Sequence, residues 1–463
     1  MTIALRDISL EELFERLSGG HAARLTVVTP NRRLSRALER DFDLSQRARN
    51  LPAWESADIV PLAAFSERLW EDALYSELAT AIPRLLTPAQ EQVLWEEVLN
   101  TSRFAAGLLS VSSAAAQCRD AWQLAHAWRL MPKLRSDEAN EDVRAFLDWS
   151  TRYEHLTNER GLCERARLPD VVARILAHEA LRKPKSVVVF GFDIETPQAR
   201  DFLAALASIG VELFASRAPL QQGRGRRVEL ASRKDEVLAA AKWARARLEA
   251  NAAARIGVVI PDLSKCRASV RRVFATVMQP DHLLPGAEKK VLPIDISIGL
   301  PLAHYPLVND ALRVLRFAGR EIDFEDASRL IRSPFIAGGE AERAARALLD
   351  ARVRERAAVR ITLDELSELL AMTHGDRAPI LAERLSRLAG LKRGNLFGAR
   401  TAPEWAKSIS EALDAMGFPG ERALDSAEYQ TLKKWHEVLG GFAALEQVTG
   451  KMRYPEAIER LAR

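Results

Sequence analysis

Short apolar runs that end in turn residues alternate with helical stretches along the first half of the chain. The runs occupy residues 25–28, 59–62, 187–190, 211–215, 228–230 and 256–260. Runs of this length and composition are typical of buried, mainly parallel strands. The pattern therefore predicts an α/β fold built on parallel sheets.

A long region between the second and third predicted strands, residues 87–182, has no strand signal and shows helical periodicity. Its first helix has a clear start: Thr87 is a capping residue, Pro88 suits the first helical position, and Gln90 completes a capping box. This region is predicted to be a helical insertion into the α/β domain.

The chain after Asp310 is predicted to be helical again, with Asp323 capping one helix and residues 340–360 forming another. The final residues, 452–463, are predicted to form a helix without a glycine stop, so we expect the natural protein to continue beyond Arg463. The predicted divisions are a first lobe at 1–86 and 183–227, the insertion at 87–182, part of a second lobe at 228–309, and a second helical region at 310–463.

Composition narrows the class of protein. The 463 residues are 48% hydrophobic, enough for several cores, and the net charge of +4 with a pI of about 9.0 permits a nucleic-acid partner. Cys118, Cys163 and Cys266 are far apart and lack metal-ligand spacing, so they are interpreted as buried thiols in a reducing compartment. With neither a signal peptide nor an apolar span, we expect a cytoplasmic protein without a membrane partner.

The most informative segment is 25–40, which is predicted to be a strand that turns at Thr29 and Pro30 into a helix capped by Asn31. Free amides at a helix start bind anions, and ligands of open α/β sheets gather at the carboxyl ends of the strands. The side chains predicted to bind phosphates are those of Thr29, Asn31, Arg32, Arg33 and Arg36.

An alternative interpretation of the same helix is structural. Arg32, Arg36 and Arg40 are four residues apart and share one helical face. A solvated stripe whose arginines pair with Glu39 and neighbouring acids would have the same spacing.

A second segment, 187–198, has the pattern of a strand, a short loop and a helix capped by Thr196. Together the two segments resemble superfamily-one helicases, in which the first corresponds to the DNA-contacting motif Ia and the second to the Walker B region. Active relatives carry an Asp-Glu pair after that strand. At the positions of the pair this chain has Gly191 and Phe192, followed by Asp193 and, on the helix, Gln198.

The resemblance continues through 233–237 and through 256–262, which is similar to motif IV except that Pro261 stands where active enzymes carry an arginine. Segments 296–302, 306–308 and 332–336 are similar to those of AddB-type repair proteins. The resemblance spans essentially the whole chain. It implies RecA-like, P-loop NTPase-type parallel-sheet lobes in a degenerate form, with large helical insertions.

One departure from the family concerns ATP. An ATPase of this class needs a glycine-rich loop followed by Lys and Ser or Thr, and no Gly-Lys-Ser or Gly-Lys-Thr occurs in the sequence. The nearest candidates, 17–21 and 449–452, lack the lysine and the hydroxyl, respectively. We therefore expect no ATP hydrolysis and no cofactor in this chain.

A helicase fold without its motor chemistry retains a basic channel for DNA. The candidate channel residues are Arg32, Arg33 and Arg36 on the first lobe and, on the helix after Asp262, Arg267, Arg271 and Arg272. Four tryptophans could stack on bases but are interpreted as core residues. They are Trp95, Trp122, Trp128 and Trp149.

The predicted function is the DNA-binding scaffold portion of a helicase–nuclease for double-strand break repair, with DNA and an AddA- or RecB-like helicase subunit as partners. A rival hypothesis is a metal-dependent nuclease that uses Asp262, Glu288 and Lys290 of the segment Glu288-Lys289-Lys290. The resemblance instead implies a nuclease domain beyond Arg463, which alone would require Mg²⁺. A third hypothesis is a structural subunit that binds only proteins.

Overall fold

The computed structural model describes residues 5–136, 140–218, 223, 225–284, 292–372 and 378–463. The chain divides into two compact units. Unit 1 comprises Met1–Gln221 and Ala444–Gly450, and unit 2 comprises Gln222–Ala443 and Lys451–Arg463. None of the described helices has both the length and the apolar composition that crossing a membrane requires.

Unit 1 is built around one parallel sheet of five strands in the order β1-β7-β6-β2-β3. A further parallel pair, β4 with β5, lies outside this sheet. The strands are β1 (Arg6–Asp7), β2 (Leu25–Thr29), β3 (Ile59–Pro61), β4 (Arg84–Leu85), β5 (Leu162–Cys163), β6 (Ser186–Phe190) and β7 (Glu212–Ser216). The four strands predicted in this unit are confirmed to within a residue. Strand β1 was missed because two residues are too few to show a periodicity.

The helices of unit 1 either cover this sheet or form the insertion. They are α1 (Leu10–Leu17), α2 (Arg32–Ala48), α3 (Leu62–Leu74), α4 (Pro88–Asn100), α5 (Val111–Ala127), α6 (Met131–Ser136), α7 (Glu141–Glu159), α8 (Leu168–Ile175) and α9 (Pro197–Ser208). The capping box at the start of α4 is confirmed: the Thr87 hydroxyl accepts from the Gln90 amide, and the Gln90 side chain accepts from the Thr87 amide.

Helices cover both faces of the sheet. Alternate residues of a strand point to opposite faces, so Val27 packs with the layer of α1 and α2, while Val28 packs with the layer of α3, α8 and α9. Every residue of β2 and β6 is buried, as expected for central strands covered on both sides. Unit 1 is therefore a doubly wound α/β structure, and α8, predicted within the insertion, packs on the sheet.

The core of the insertion is aromatic. The rings of Trp95 and Tyr153 are stacked with centroids 4.0 Å apart, and Trp122 packs edge-on against Trp95. The prediction of a core position is confirmed for Trp95, Trp122 and Trp149 but is wrong for Trp128, whose side chain is 42% exposed. The parallel pairing of β5 with β4 departs from the prediction that this region contains no strand.

Unit 2 is mainly helical. Its helices are α10 (Arg233–Ala250), α11 (Leu263–Met278), α12 (Pro306–Gly319), α13 (Phe324–Ile331), α14 (Arg343–Arg354), α15 (Leu363–Met372), α16 (Pro379–Asn395), α17 (Ala402–Ala415), α18 (Ser426–Ala443) and α19 (Tyr454–Ala462). Two short antiparallel pairs accompany them, β8 (Ile322–Asp323) with β9 (Arg360–Ile361) and β10 (Ala399–Arg400) with β11 (Met452–Arg453). The helical prediction for the region after Asp310 is confirmed.

Two predicted strands of unit 2, at 228–230 and 256–260, are not formed. Val228 is 75% exposed and Val259 is 94% exposed. A short apolar run becomes a strand only when a neighbouring strand satisfies its amides and carbonyls, and no described segment of unit 2 pairs with either run. The second parallel-sheet lobe predicted at 228–309 is therefore absent from the residues that the structure describes.

Candidate nucleic-acid interface

The connections of the sheet diverge between β2 and β6. From β2 the chain crosses through α2 to β3 on one side, and from β6 it crosses through α9 to β7 on the other. Since Val28 pairs with Val189, these two neighbouring strands end side by side, at Thr29 and Phe190. Ligands of open α/β sheets bind in the crevice at such a point. We call the turns that follow β2 and β6, with the first turn of α2, the carboxyl edge.

The turn after β2 is held by its own side chains. Thr29 is fully buried, and its hydroxyl donates to the Asn31 carbonyl at 3.0 Å and lies 2.6 Å from the Ser35 hydroxyl. Asn31 Oδ1 accepts a hydrogen bond from the Leu34 amide at 3.0 Å, so the predicted cap is confirmed. Thr29 and Asn31 thus both stabilise the turn, with the Thr29 hydroxyl buried inside it and Asn31 exposed.

The three predicted arginines of this turn, Arg32, Arg33 and Arg36, are exposed at the start of α2. None of them forms a hydrogen bond or an ion pair with a described residue, so the pairing with Glu39 that the structural interpretation required is not formed. The first turn of α2 contains no acidic residue. Each cation at a helix N-terminus interacts unfavourably with the helix dipole and destabilises the helix by about 0.3–1 kcal/mol. This helix start therefore carries unneutralised positive charge.

The turn after β6 packs against the same helix start. Gly191 has a left-handed φ of +68°, and a Cβ atom there would lie 2.6 Å from Leu34 Cδ2. Glycine thus permits the close approach of the two turns. Phe192 is half-buried against the core, whereas Asp193 and Glu195 are exposed and unpaired among the described residues. The crevice therefore has arginines on one side and carboxylates on the other.

Gln198, predicted as part of a degenerate Walker B region, is buried and structural. Its Nε2 donates to the Ala166 carbonyl at 2.7 Å and to Asp170 Oδ2 at 2.9 Å. Burial raises the pKa of Asp170, but hydrogen bonds from Arg129 and Gln198 outweigh it and leave the pKa below its usual value. Gln198 therefore joins α9 to α8 and does not reach into the crevice.

The second predicted set of arginines belongs to unit 2. Arg267 on α11 donates from Nε to the Ile298 carbonyl at 2.6 Å, so part of its guanidinium is used within the unit. Arg271 and Arg272 are exposed on the same helix. The two sets of arginines are therefore placed on different units, and the crevice of unit 1 contains only the first set.

The nuclease hypothesis depends on whether Glu288 lies on a strand beside Asp262. Residues 256–260 form no strand, and Asp262 stands before α11 with a left-handed φ of 53°. Its carboxylate lies 3.5 Å from Lys265 Nζ. The other residues of the hypothesis, Glu288 to Lys290, lie outside the described residues. Among the described residues, no cluster of histidine, cysteine or acidic side chains is arranged to hold a metal ion.

A cavity of about 840 Å³ lies at the opposite edge of the sheet, where β2 and β6 begin. We call this the amino edge. Two of its charges are paired with each other: Arg68 makes a two-pronged contact with Asp58 at 2.7 and 3.0 Å, and the Thr26 hydroxyl donates to the same carboxylate. Of the other charged residues in the lining, Arg182, Asp72 and Glu179 form no ion pair with a described residue. Volume favours the amino edge as a ligand site, and the number of unpaired arginines favours the carboxyl edge. We take the carboxyl edge as the candidate site because three unpaired arginines stand together at one helix start there.

One feature near the carboxyl edge was missed in the sequence. Arg129, at the end of α5, binds Asp170 through two hydrogen bonds of 2.9 and 2.6 Å and donates to Asp201 at 3.0 Å. The neighbouring Trp128 is left exposed. The two aspartates are 41 and 72 positions away from Arg129 in the chain, so the local periodicity of the sequence does not indicate these contacts.

The fold and the site define a class: a doubly wound α/β protein with three exposed, unpaired arginines at the carboxyl edge of its sheet. No family model matches this chain, and no curated protein is significantly similar to it in sequence.

Proposed function

We propose that this chain is the DNA-binding, helicase-like scaffold portion of a helicase–nuclease that processes double-strand breaks, and that it does not hydrolyse ATP. The observation that carries the proposal is the group of three unpaired arginines, Arg32, Arg33 and Arg36, at the topological switch point of the sheet. In this proposal the doubly wound unit is a RecA-like lobe that has lost its motor chemistry.

The physical basis of the binding is electrostatic. Arginines that neutralise phosphates release condensed counterions, so the affinity is independent of base sequence and falls steeply with salt. The start of α2 adds two amide donors, those of Arg32 and Arg33, which have no partner within the helix. Asn31 and Thr29 support this geometry by fixing the turn.

The absence of ATP hydrolysis is proposed from the turns between strands and helices. A phosphate-cradling loop runs over about eight residues and ends in Lys and Ser or Thr. The turn between β1 and α1 consists of Ile8 and Ser9, and Ser9 caps α1 through the Glu12 amide. The turn between β2 and α2 consists of Pro30 and Asn31, and the longer turn after β6 contains no lysine.

The remaining assignments rest on the resemblance to AddB-type proteins alone. They are a role in DNA repair and recombination, a cytoplasmic location, and an AddA- or RecB-like helicase subunit as partner. Mg²⁺ would be needed only by a nuclease domain outside this chain.

The test compares two triple variants of the same helix. Arg32, Arg33 and Arg36 are changed to Ala in one protein, and Arg40, Arg47 and Arg49 in the control. The control removes the same charge farther along a helix that is about 25 Å long. Binding to fluorescent single-stranded and duplex DNA is measured by anisotropy over a salt series. The first variant should bind at least about tenfold more weakly, with a salt slope reduced by about 3, whereas the control should change little.

Two results would contradict the proposal. If the unaltered chain binds no DNA at low salt, the DNA-binding function is wrong, and a subunit that contacts only proteins replaces it. If both triple variants lose the same affinity, the binding follows net charge, and the carboxyl edge is not the site.

A further inference from the structure

Trp128 stands apart from the other tryptophans of the insertion. Trp95, Trp122 and Trp149 are buried, but Trp128 is 42% exposed, and its indole N–H makes no hydrogen bond with a described residue. Leu124, one turn earlier on α5, is also exposed. A large apolar ring that faces solvent with an unused donor needs an explanation other than core packing.

The end of α5 holds this ring in a fixed place. The Arg129 amide donates to the His126 carbonyl and the Leu130 amide to the Ala125 carbonyl, the hydrogen bonds of a Schellman motif. Glycine usually follows such a helix end, but here Arg129 adopts the left-handed conformation, with φ 55°. Its guanidinium is bound to Asp170 on α8 and Asp201 on α9. Trp128 is therefore presented on a rigid turn.

These contacts place the ring near the carboxyl edge. Helix α9 begins after the turn that follows β6, and Asp201 is its fifth residue. Helix α9 belongs to the layer opposite α2, so the end of α5 that carries Trp128 and the arginines of α2 lie on opposite faces of the sheet. Between them, the turn after β6 exposes Ile194, which is 69% accessible.

The charges between the start of α2 and Trp128 favour one orientation of a bound nucleic-acid strand. The arginines of α2 attract phosphates, while the exposed carboxylates of Asp193 and Glu195 repel them. A strand with its backbone on α2 thus turns its bases toward Ile194 and Trp128. Stacking requires an exposed base face, which single strands offer and duplexes do not.

We propose that Trp128 stacks on an unpaired base of a single-stranded nucleic acid whose phosphates are bound by Arg32, Arg33 and Arg36. This inference rests on the proposed DNA-binding function and specifies its ligand as single-stranded. The stacking is independent of base identity, because every base has an aromatic face.

The experiment measures anisotropy with two fluorescent probes of equal length, an oligothymidylate and an abasic oligonucleotide with the same phosphates. The proteins are the unaltered chain, Trp128→Ala, Trp128→Phe and the control Tyr75→Ala. Tyr75 is 93% exposed and follows α3 at the amino edge, so it is an exposed aromatic residue far from the proposed stacking position. Circular dichroism and thermal unfolding check that each variant is folded.

Trp128→Ala should weaken oligothymidylate binding by about 5- to 100-fold and leave abasic binding and the salt slope unchanged. Trp128→Phe should retain most of the affinity, because it keeps an aromatic face, and Tyr75→Ala should match the unaltered chain.

Three outcomes overturn the inference. Equal oligothymidylate affinity of Trp128→Ala and the unaltered chain excludes stacking but leaves the DNA-binding function intact if the arginine variant still loses affinity. An equal loss on the abasic probe shows that the effect is not stacking. No binding of either probe by the unaltered chain overturns both proposals, and the exposed Trp128 and Leu124 would then mark a protein contact.

Discussion

Arg68 at the amino edge of the sheet in unit 1 and the arginines at the start of α2 are placed in opposite ways. At the amino edge, Arg68 is held by Asp58 and Thr26 beside a cavity of about 840 Å³. At the carboxyl edge, Arg32, Arg33 and Arg36 project from a helix start without acidic neighbours in its first turn. The first arrangement stabilises the fold, and the second leaves charge available for a ligand. The cavity volume and the group of unpaired arginines therefore point to different edges of the sheet.

The carboxyl edge also departs from the rules that stabilise an isolated helix. Helix α1 has Glu11 and Glu12 in its first turn, which interact favourably with the helix dipole, whereas α2 begins with two arginines and has no acidic residue in its first turn. Local choices that oppose stability are concentrated at functional sites. Among the described helices of unit 1, only α2 begins with two basic residues, which is consistent with a functional role of its start.

The largest effect on stability is expected at the amino edge. Asp58→Ala removes the partner of Arg68 and of the buried Thr26 hydroxyl, so the free energy of unfolding should fall by about 2–3 kcal/mol in urea titrations. DNA affinity should stay unchanged. Asp41→Ala, which loses only a surface contact of 3.9 Å with Arg40, is the control and should have almost no effect. A loss of DNA affinity in Asp58→Ala would erase the distinction between the edges.

A smaller effect is expected at the turn after β6. Gly191→Ala and Gly210→Ala both place alanine at a left-handed φ, but only the first meets a neighbour, Leu34. Gly210→Ala should cost about 1 kcal/mol, and Gly191→Ala about 1 kcal/mol more, because Leu34 must move. Only Gly191→Ala should also weaken DNA binding, measured by anisotropy. Equal behaviour of the two variants would show that the turns after β2 and β6 are not coupled.

The smallest effect concerns the carboxylates of the crevice. Replacing Asp193 with Asn and Glu195 with Gln removes two negative charges beside the arginines, so DNA affinity at low salt should rise by about two- to fourfold. Exchanging Glu11 and Glu12 of α1 for Gln in the same way is the control for net charge. If the first pair of changes weakens binding, these carboxylates contact the ligand directly.

The strands of unit 1 were predictable because their signal is local. Segments 25–28 and 187–190 are continuous apolar runs, and central parallel strands bury both faces. The same signal failed at 256–260, where the run is equally apolar but no described segment pairs with it. An apolar run indicates that a segment tends to be buried. Whether the segment forms a strand depends on whether another part of the chain lies beside it and pairs with it.

The candidate site was predictable in part for the same reason. The turn of Thr29 and the cap of Asn31 depend on residues within six positions, so the sequence shows them directly. That Gly191 meets Leu34, and that Arg129 holds Trp128 beside α9, depends on strand order and helix packing.

The sequence by itself determined the buried parallel strands of unit 1, the start of α2 and the lack of a Gly-Lys-Ser or Gly-Lys-Thr loop, because each follows from neighbouring residues. Only the tertiary structure decided which arginines are unpaired, which tryptophan is exposed, and that the strands predicted at 228–230 and 256–260 do not form. These properties depend on residues that are distant in the chain. Those residues determine whether a side chain is buried and whether a charge or a backbone amide finds a partner.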